Sequence, residues 1–292
     1  MTTPNPTLLN KLSRSKLMPR WAPASVGVGE RRSKHKGSGF EFADHREYQP
    51  GDDLRRLDPH LFARFGQNFI REYDVYRQLP ITILIDASRS MNYGDPNKFH
   101  YATNLASSLA FVGLAGGDQV QVGIGSGDKV IWSSRFHGVS RAQTLFDWIG
   151  THETEGSGSF AAALRVASRH LVNRGLLIVI SDWWADDLDA ELALLSATGQ
   201  EVWGLHVLAR EEINPEVLGG GEVRLTDVES GYEVEMSLDH GTLDRYRKSF
   251  EAWRDKLQGL FNKARGRYLI TPTDQSADKL ILQDWRKLGI IV

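Results

Sequence analysis

Hydrophobic residues follow two alternating patterns from about residue 80 to the end of the chain. Short continuous apolar runs alternate with segments whose apolar residues recur every three or four positions. Continuous runs rich in β-branched residues are typical of strands buried on both faces of a parallel sheet, and the wider spacing is typical of helices. The alternation therefore predicts an α/β fold with a mostly parallel sheet flanked by helices. The predicted strands are 81–85, 120–124, 129–132, 176–180, 201–208 and 267–271, and the predicted helices are 98–114, 141–149, 161–171, 187–197, 243–264 and 277–288.

The pattern divides the chain into three parts. Residues 1–36 are basic and are expected to form an irregular arm, although four leucines between residues 8 and 17 are compatible with a short helix. Residues 37–78 are rich in charge and end in a predicted edge strand near 69–73. Residues 79–292 form the α/β domain, and the glycines that begin at Gly219 open a predicted β-hairpin insertion at 219–238.

Composition narrows the class of protein. The chain has 292 residues, of which 41% are hydrophobic and 25% charged, as in ordinary globular proteins with a substantial core. It has no cysteine, which excludes disulfides, thiolate zinc sites and cysteine nucleophiles. The net charge of -2 gives no global reason to expect nucleic-acid binding. Because no apolar run approaches the length of a transmembrane helix, we expect a cytoplasmic protein.

Oxygen-bearing side chains follow the first predicted strand of the domain. Asp86, Ser88 and Ser90 stand at alternate positions directly after the apolar run, and Asp182 follows the strand at 176–180. The carboxyl ends of parallel strands lie at one edge of a sheet, where ligands bind. A carboxylate and two hydroxyls suit a hard cation such as Mg²⁺, with Mn²⁺ or Ca²⁺ as alternatives. The other interpretation of the triplet is a cap for the next helix.

Further candidate residues lie between and beyond these two strand ends. The glycine- and serine-rich loop before the helix at 161–171 lies between these two strands, and three such loops can converge on one edge of a parallel sheet. Trp183, Trp184 and Asp187 follow Asp182 and are predicted to contact a protein partner, because tryptophan is enriched in interface hot spots. A burial of both tryptophans in the core is the alternative, and Trp184 is the favoured contact.

Two charged segments each have two interpretations. The acidic and basic residues from Asp44 to Asp58 either fix this segment internally or face a partner, and the close opposite charges favour an internal network. The basic cluster from Arg31 to Lys36 is expected to be a solvated arm, with nucleic-acid or membrane contact as the alternative.

These motifs together resemble a known family. Asp86, Ser88, Ser90 and Asp182 are similar to the metal-ion-dependent adhesion site (MIDAS) of a von Willebrand factor A domain. The segment from Gly39 to Asp58 resembles the signature of the bacterial "domain of unknown function 58" proteins. Two positions depart from the pattern. Gly158 stands where a metal-binding threonine is expected, and the resemblance then implies that the flanking Ser157 and Ser159 supply the hydroxyl ligand. Pro59 replaces a tryptophan.

The resemblance implies a Rossmann-like von Willebrand factor A-type fold with an N-terminal extension and an inserted β-hairpin. It also implies association with a MoxR-type AAA+ ATPase, for which the chain would be a non-enzymatic adaptor or co-chaperone. In this hypothesis a carboxylate of the partner completes the shell of a bound Mg²⁺. The alternative is a metal-dependent hydrolase or phosphatase that uses Asp86 and Asp182, since Mg²⁺ can activate water.

Overall fold

The structure is a computed structural model of the whole chain. It describes residues 4–21, 31–37, 41–154, 159–171, 174–185, 188–219, 221–226 and 232–292.

The beginning of the chain packs on the core, contrary to the prediction of an irregular arm. Helix α1 (Pro6–Leu12) begins at a proline, and the side chain of Asn5 accepts a hydrogen bond from the Thr7 backbone N–H at its start. Leu8 and Leu12 are fully buried, as is Leu17, which forms a β-bridge with Ile291 near the end of the chain. The predicted short helix is confirmed, and its apolar face explains why this segment does not remain in solvent.

A small antiparallel sheet precedes the α/β domain. It contains β1 (Arg31–Gly37), β2 (Glu41–Glu47) and β3 (Phe69–Arg77), with helix α2 (Pro59–Phe65) between β2 and β3. Strand β3 pairs with β1 on one side and with β2 on the other. The prediction of an edge strand near 69–73 is therefore wrong, because β1, most of which was expected to belong to the arm of residues 1–36, supplies the partner on its second side.

The charged segment from Asp44 to Asp58 forms the internal network that the sequence favoured. Asp58 is buried and accepts hydrogen bonds of 2.9 Å from both Arg71 Nε and His45 Nε2. It also caps α2 by accepting from the backbone N–H groups of His60 and Leu61. The guanidinium of Arg46 binds both carboxylate oxygens of Asp52. These contacts tie the turn and α2 to the small sheet.

The rest of the chain builds one seven-stranded sheet, a separate two-stranded sheet of β10 and β11, and the helices. The strands from here onward are β4 (Pro80–Asp86), β5 (Gln119–Ser126), β6 (Lys129–Trp132), β7 (Phe136–His137), β8 (Leu176–Ser181), β9 (Glu201–Leu208), β10 (Glu222–Thr226), β11 (Glu233–Ser237) and β12 (Arg267–Pro272). The helices are α3 (Lys98–Ala115), α4 (Ala142–Gly150), α5 (Phe160–His170), α6 (Leu188–Ala197), α7 (Arg210–Ile213), α8 (His240–Lys263), α9 (Ala277–Lys279) and α10 (Trp285–Lys287).

The order of the large sheet is that of a doubly wound α/β fold. It reads β12–β9–β8–β4–β5–β6, and the short β7 also pairs with β5. The first five strands of this order are parallel, whereas β6 and β7 run antiparallel to β5. The predicted Rossmann-like fold class is confirmed, and so is the hairpin insertion, which β10 and β11 form. The predicted closing helix is interrupted, because a π-helical segment, Leu280–Asp284, separates α9 from α10.

The sheet is buried on both faces by two separate apolar clusters. On one face the cluster includes α1, α3, α4 and the C-terminal helices, and on the other it includes α5, α6 and α8. Every residue of β8 is buried, as is every residue of β9. Burial on both faces holds the strands rigidly, so that the ends of β4 and β8 can position polar side chains at one edge.

Candidate functional site

The end of β4 carries a compact group of oxygen atoms. Asp86 is the last residue of the strand and is 1% exposed. One of its oxygens accepts a 2.9 Å hydrogen bond from the Ser88 backbone N–H, which turns the chain. The hydroxyl oxygens of Ser88 and Ser90 then lie 3.0 Å apart. Ser90 is half-buried, so the group reaches toward solvent on that side. The structure thus brings together the predicted triplet.

The neighbouring strand contributes to the environment of Asp86. The hydroxyl of Ser181, at the end of β8, donates a 2.6 Å hydrogen bond to the second oxygen of Asp86. Burial of the carboxyl group, and then the nearby charge of Asp182, raise the pKa of Asp86 to about 7, although the hydrogen bonds from Ser181 and Ser88 oppose this. A buried carboxylate of this kind favours the presence of a cation.

Asp182 is held by a lysine that the sequence reasoning missed. The ammonium of Lys98 lies 2.8 Å from Asp182 Oδ2 and 2.8 Å from Glu212 Oε1. Lys98 is 1% exposed, although lysine is rarely buried unless it is paired. Burial lowers the pKa of Lys98, but the two carboxylates outweigh it and leave the pKa above its usual value, so the side chain is positively charged.

Glu212 connects this pair to the segment after β9. Its second carboxylate oxygen accepts a 2.7 Å hydrogen bond from the backbone N–H of Ala209, at the start of α7. The carbonyl of Glu212 accepts a hydrogen bond of 2.6 Å from the Tyr246 hydroxyl on α8. Burial raises the pKa of the Glu212 carboxyl group, while the charge of Lys98 lowers it. Three elements therefore meet at the ammonium: α3, the end of β8 and α7.

Of the predicted site residues Ser157, Ser159 and Asp187, the structure describes only Ser159. Ser159 is exposed, and its hydroxyl caps α5 by accepting from the Ala161 backbone N–H at 3.2 Å. No described contact joins Ser159 to Asp86, so its prediction as a metal ligand gains no support. Ser157 and Asp187 lie outside the described residues, and the same holds for Gly158.

The prediction of Trp183 as a partner contact is wrong, because its side chain is only 1% exposed. The indole packs edge-on against Phe160 and Phe261, and its Nε1–H donates to the Leu205 carbonyl. Its backbone φ of 58° lies in the left-handed region, which is unusual for a residue other than glycine. The tertiary contacts of the indole hold this conformation, which turns the chain at the rim of the site.

Trp184 points the other way and remains a candidate contact. Its side chain is 44% exposed and stacks on Trp253 of α8, with ring centroids 5.9 Å apart. The ammonium of Lys256 lies 5.1 Å from the centre of the Trp253 ring. The structure therefore presents an aromatic surface beside the oxygen cluster, backed by α8.

Lys98, Glu212 and Ser181 complete the site but were not predicted. Lys98 could have been found, because it falls on the same helical stripe as the apolar residues Ala102 and Leu105 and is therefore expected to be buried. A charged residue in an apolar stripe indicates a buried ion pair. Glu212 has no such signal, since it lies in an acidic pair on a short helix.

The residues at the site fit a hard cation that keeps most of its water. Among the described residues there is no group of three or more His, Cys, Asp or Glu side chains placed to bind a metal. The available donors are instead one carboxylate, Asp86, and the hydroxyls of Ser88 and Ser90. A donor set of oxygen atoms with few anionic groups suits Mg²⁺ better than zinc.

The chain belongs to the family described as "Protein of unknown function DUF58", whose sequence profile matches residues 44–256. It is 29% identical over 229 residues to the uncharacterized protein Rv1480 of Mycobacterium tuberculosis, a match that covers 75% of this chain and 70% of the relative. The uncharacterized protein Mb1516 of Mycobacterium bovis matches with the same values. The family predicted from the charged segment and the oxygen triplet is confirmed.

Among solved structures, the chain is similar to an aerotolerance-related membrane protein from Bacteroides fragilis, with 18% identity and a TM-score of 0.42. That match covers 72% of this chain and 99% of the other. It is also similar to a von Willebrand factor type A protein from Catenulispora acidiphila, with 14% identity, a TM-score of 0.40 and coverage of 74% and 43%. In the described part of the chain, no helix is both long and apolar enough to cross a membrane.

Proposed function

We propose that this member of the family is a non-enzymatic protein-interaction module whose binding depends on a divalent cation. The observation that supports it is the oxygen cluster of Asp86, Ser88 and Ser90 at the carboxyl edge of the sheet, beside the exposed indole of Trp184. Asp86 and the two hydroxyls would hold Mg²⁺, with Mn²⁺ or Ca²⁺ as alternatives. The ion would supply a positive charge that a carboxylate of the partner can bind.

The chemistry of the rim favours a protein partner over a small substrate. The stack of Trp184 on Trp253 offers a rigid apolar surface of the kind found in interface hot spots. A partner segment with an acidic side chain next to an apolar one would match the cation and this surface together. The expected partner is a MoxR-type AAA+ ATPase, for which the chain would be an adaptor or co-chaperone in the cytoplasm.

The alternative of a metal-dependent hydrolase has less support from the described residues. Hydrolysis needs a general base that can reach the attacking water. His206 lies near Asp182 but is fully buried, and burial lowers its pKa to about 3. His152, at the end of α4, has its Nδ1 2.8 Å from the carbonyl oxygen of Trp148. His206 is therefore not suited to act as the base, and no described contact joins His152 to Asp86.

The interaction is tested with a purified MoxR-type ATPase and immobilised wild-type, Asp86→Ala and Trp184→Ala proteins. All three are measured in one Mg²⁺ buffer, because the ATPase itself uses a magnesium nucleotide and chelation would affect both partners. We expect at least a tenfold loss of affinity for Asp86→Ala and for Trp184→Ala. Asp128→Asn, an exposed change at the β5–β6 turn, serves as the control and should bind like the wild type. Equal affinity for all four proteins would contradict the proposal.

A further inference from the structure

A positive charge from the protein itself lies against Asp182, beside the candidate metal site. The ammonium of Lys98 makes charge-assisted hydrogen bonds of 2.8 Å to Asp182 and to Glu212. The side chains of Lys98 and Asp182 are 1% and 2% exposed, so water does not screen this pair. The ring of Tyr93 covers the ammonium at 5.7 Å. The lysine is therefore a fixed part of the site.

This arrangement divides the carboxyl groups into two classes. Asp182 and Glu212 share the ammonium, whereas no cationic side chain of the described residues forms a salt bridge with Asp86. The two oxygens of Asp182 also differ. Oδ2 binds Lys98, whereas the one hydrogen bond that Oδ1 accepts from the described residues is long, 3.4 Å from the Trp184 backbone N–H. Asp182 therefore already has a cationic partner, Lys98, whereas Asp86 has none among the described residues.

We propose that Lys98 is a built-in cation that competes with a divalent ion for Asp182 and so keeps metal binding at this site weak. The inference rests on the metal site proposed above. For the ion to use Asp182 fully, it must displace the ammonium from Oδ2 or accept its repulsion at close range. Glu212 makes the displacement possible, because it continues to hold the ammonium when Asp182 is taken.

The competition has a consequence for the function of the site. A weakly held ion that is bound mainly through Asp86, Ser88 and Ser90 keeps most of its positive charge and its exchangeable waters. Such an ion is suited to accept a carboxylate from a partner. Lys98 would therefore set the strength of the metal site without touching the partner.

The test measures Mn²⁺ affinity by the loss of the free-ion signal in electron paramagnetic resonance. The variant Lys98→Met removes the charge, and the double variant Lys98→Met with Glu212→Gln removes the ion pair while conserving the net charge. Because the double variant conserves the net charge, a gain in affinity there comes from the lost competition and not from a more negative electrostatic potential. It also leaves position 212 neutral, so fewer unpaired charges remain in the core. Arg89→Met is the matched control, because Arg89 is an exposed cation between Ser88 and Ser90. Asp86→Ala in each background identifies the site.

We expect both Lys98 variants to bind Mn²⁺ at least tenfold more tightly than the wild type, whereas Arg89→Met changes the affinity less than twofold. Mn²⁺ should also raise the melting temperature of the Lys98 variants more than that of the wild type, since a ligand stabilises the state that binds it. If Asp86→Ala abolishes binding but neither Lys98 variant binds Mn²⁺ more tightly than the wild type, the competition is wrong and the metal site stands. If no protein binds Mn²⁺, both the competition and the metal-dependent function are wrong. Binding by the Lys98 variants alone would support the competition and contradict the metal dependence of the wild type.

Discussion

The hydroxyl of Ser181 donates a 2.6 Å hydrogen bond to Asp86, which joins the ends of two adjacent parallel strands at the candidate site. The same oxygen accepts a hydrogen bond of 2.9 Å from the Trp183 backbone N–H. Ser181 is therefore a buried connection between the oxygen cluster on β4 and the aromatic rim after β8. Its position explains how two segments that are distant in sequence act as one site.

Ser181→Ala should lower the free energy of unfolding by about 1–3 kcal/mol, because a buried carboxyl oxygen and a backbone N–H lose their partner. Urea unfolding followed by circular dichroism measures the change. The control is Ser168→Ala, which removes an exposed hydrogen bond to the Arg165 carbonyl and should stay within about 0.5 kcal/mol of the wild type. Equal stability of the two variants would contradict the role given to Ser181.

Substitution of Trp183 should mainly lower stability, whereas substitution of Trp184 should mainly weaken partner binding. Trp183→Ala removes a fully buried indole and should cost about 3–5 kcal/mol of stability. Trp184→Ala should cost only about 0.5–1.5 kcal/mol, the usual contribution of one aromatic pair, and should weaken partner binding instead. Thermal unfolding and partner affinity, measured on both variants, check this difference. A stable Trp183→Ala protein that fails to bind would contradict the assignment.

Asp58 makes the small sheet sensitive to acid. Its hydrogen bond with Arg71 is the main cause of a pKa well below the usual range, burial opposes this shift, and His45 adds to the lowering. A depressed carboxyl pKa contributes stability above the unfolded value of 3.8, and this contribution is lost as the pH falls below it. Asp58→Asn should therefore show a weaker dependence of stability on pH below about pH 4 than the wild type. Chemical denaturation at pH 3 and pH 6 measures it, and an unchanged pH dependence would contradict the network.

His206 should make the whole domain less stable in mild acid. Burial lowers the pKa of His206 to about 3, against 6.5 when exposed. Between these values the unfolded chain binds a proton that the folded chain does not, so stability falls as the pH falls below about 6.5. Between pH 7 and pH 5 this contribution is about 2 kcal/mol.

The substitution His206→Gln tests this dependence, because glutamine does not titrate. The variant should lose about 2 kcal/mol less than the wild type between pH 7 and pH 5. The comparison uses urea unfolding at both pH values. His100→Gln, on the exposed side of α3, should retain the wild-type dependence. If His206→Gln also retained it, His206 would not be the group that titrates.

The fold could be predicted from the sequence because strands that are buried on both faces appear as continuous apolar runs. The strand at 201–208 matches β9 residue for residue, and the helix that begins at Lys98 has the predicted start. The predictions of an irregular N-terminal arm and of an edge strand were wrong because local pattern does not show long-range pairing. Sheet pairing between residues 31–37 and β3 is a long-range contact, and the charged sequence of residues 31–36 carries no hydrophobic alternation that would indicate it.

The candidate site could be predicted only in part. Asp86, Ser88 and Ser90 are close in sequence, so their spacing alone brings them together at a strand end. Lys98 and Glu212 reach the site from α3 and α7 through side-chain contacts that no local pattern encodes. Trp183 is buried with a left-handed backbone, a conformation that a single sequence does not indicate for a tryptophan.

The proposed function depends on a divalent cation bound by the cluster around Asp86. The most direct measurement is calorimetric titration of Mg²⁺ into metal-stripped wild-type protein and into Asp86→Ala at the same pH and ionic strength. We predict saturable binding to the wild type, with a Kd in the roughly micromolar to millimolar range, and its loss in Asp86→Ala. Heats of titration that are the same for both proteins would show that Asp86 does not bind the ion.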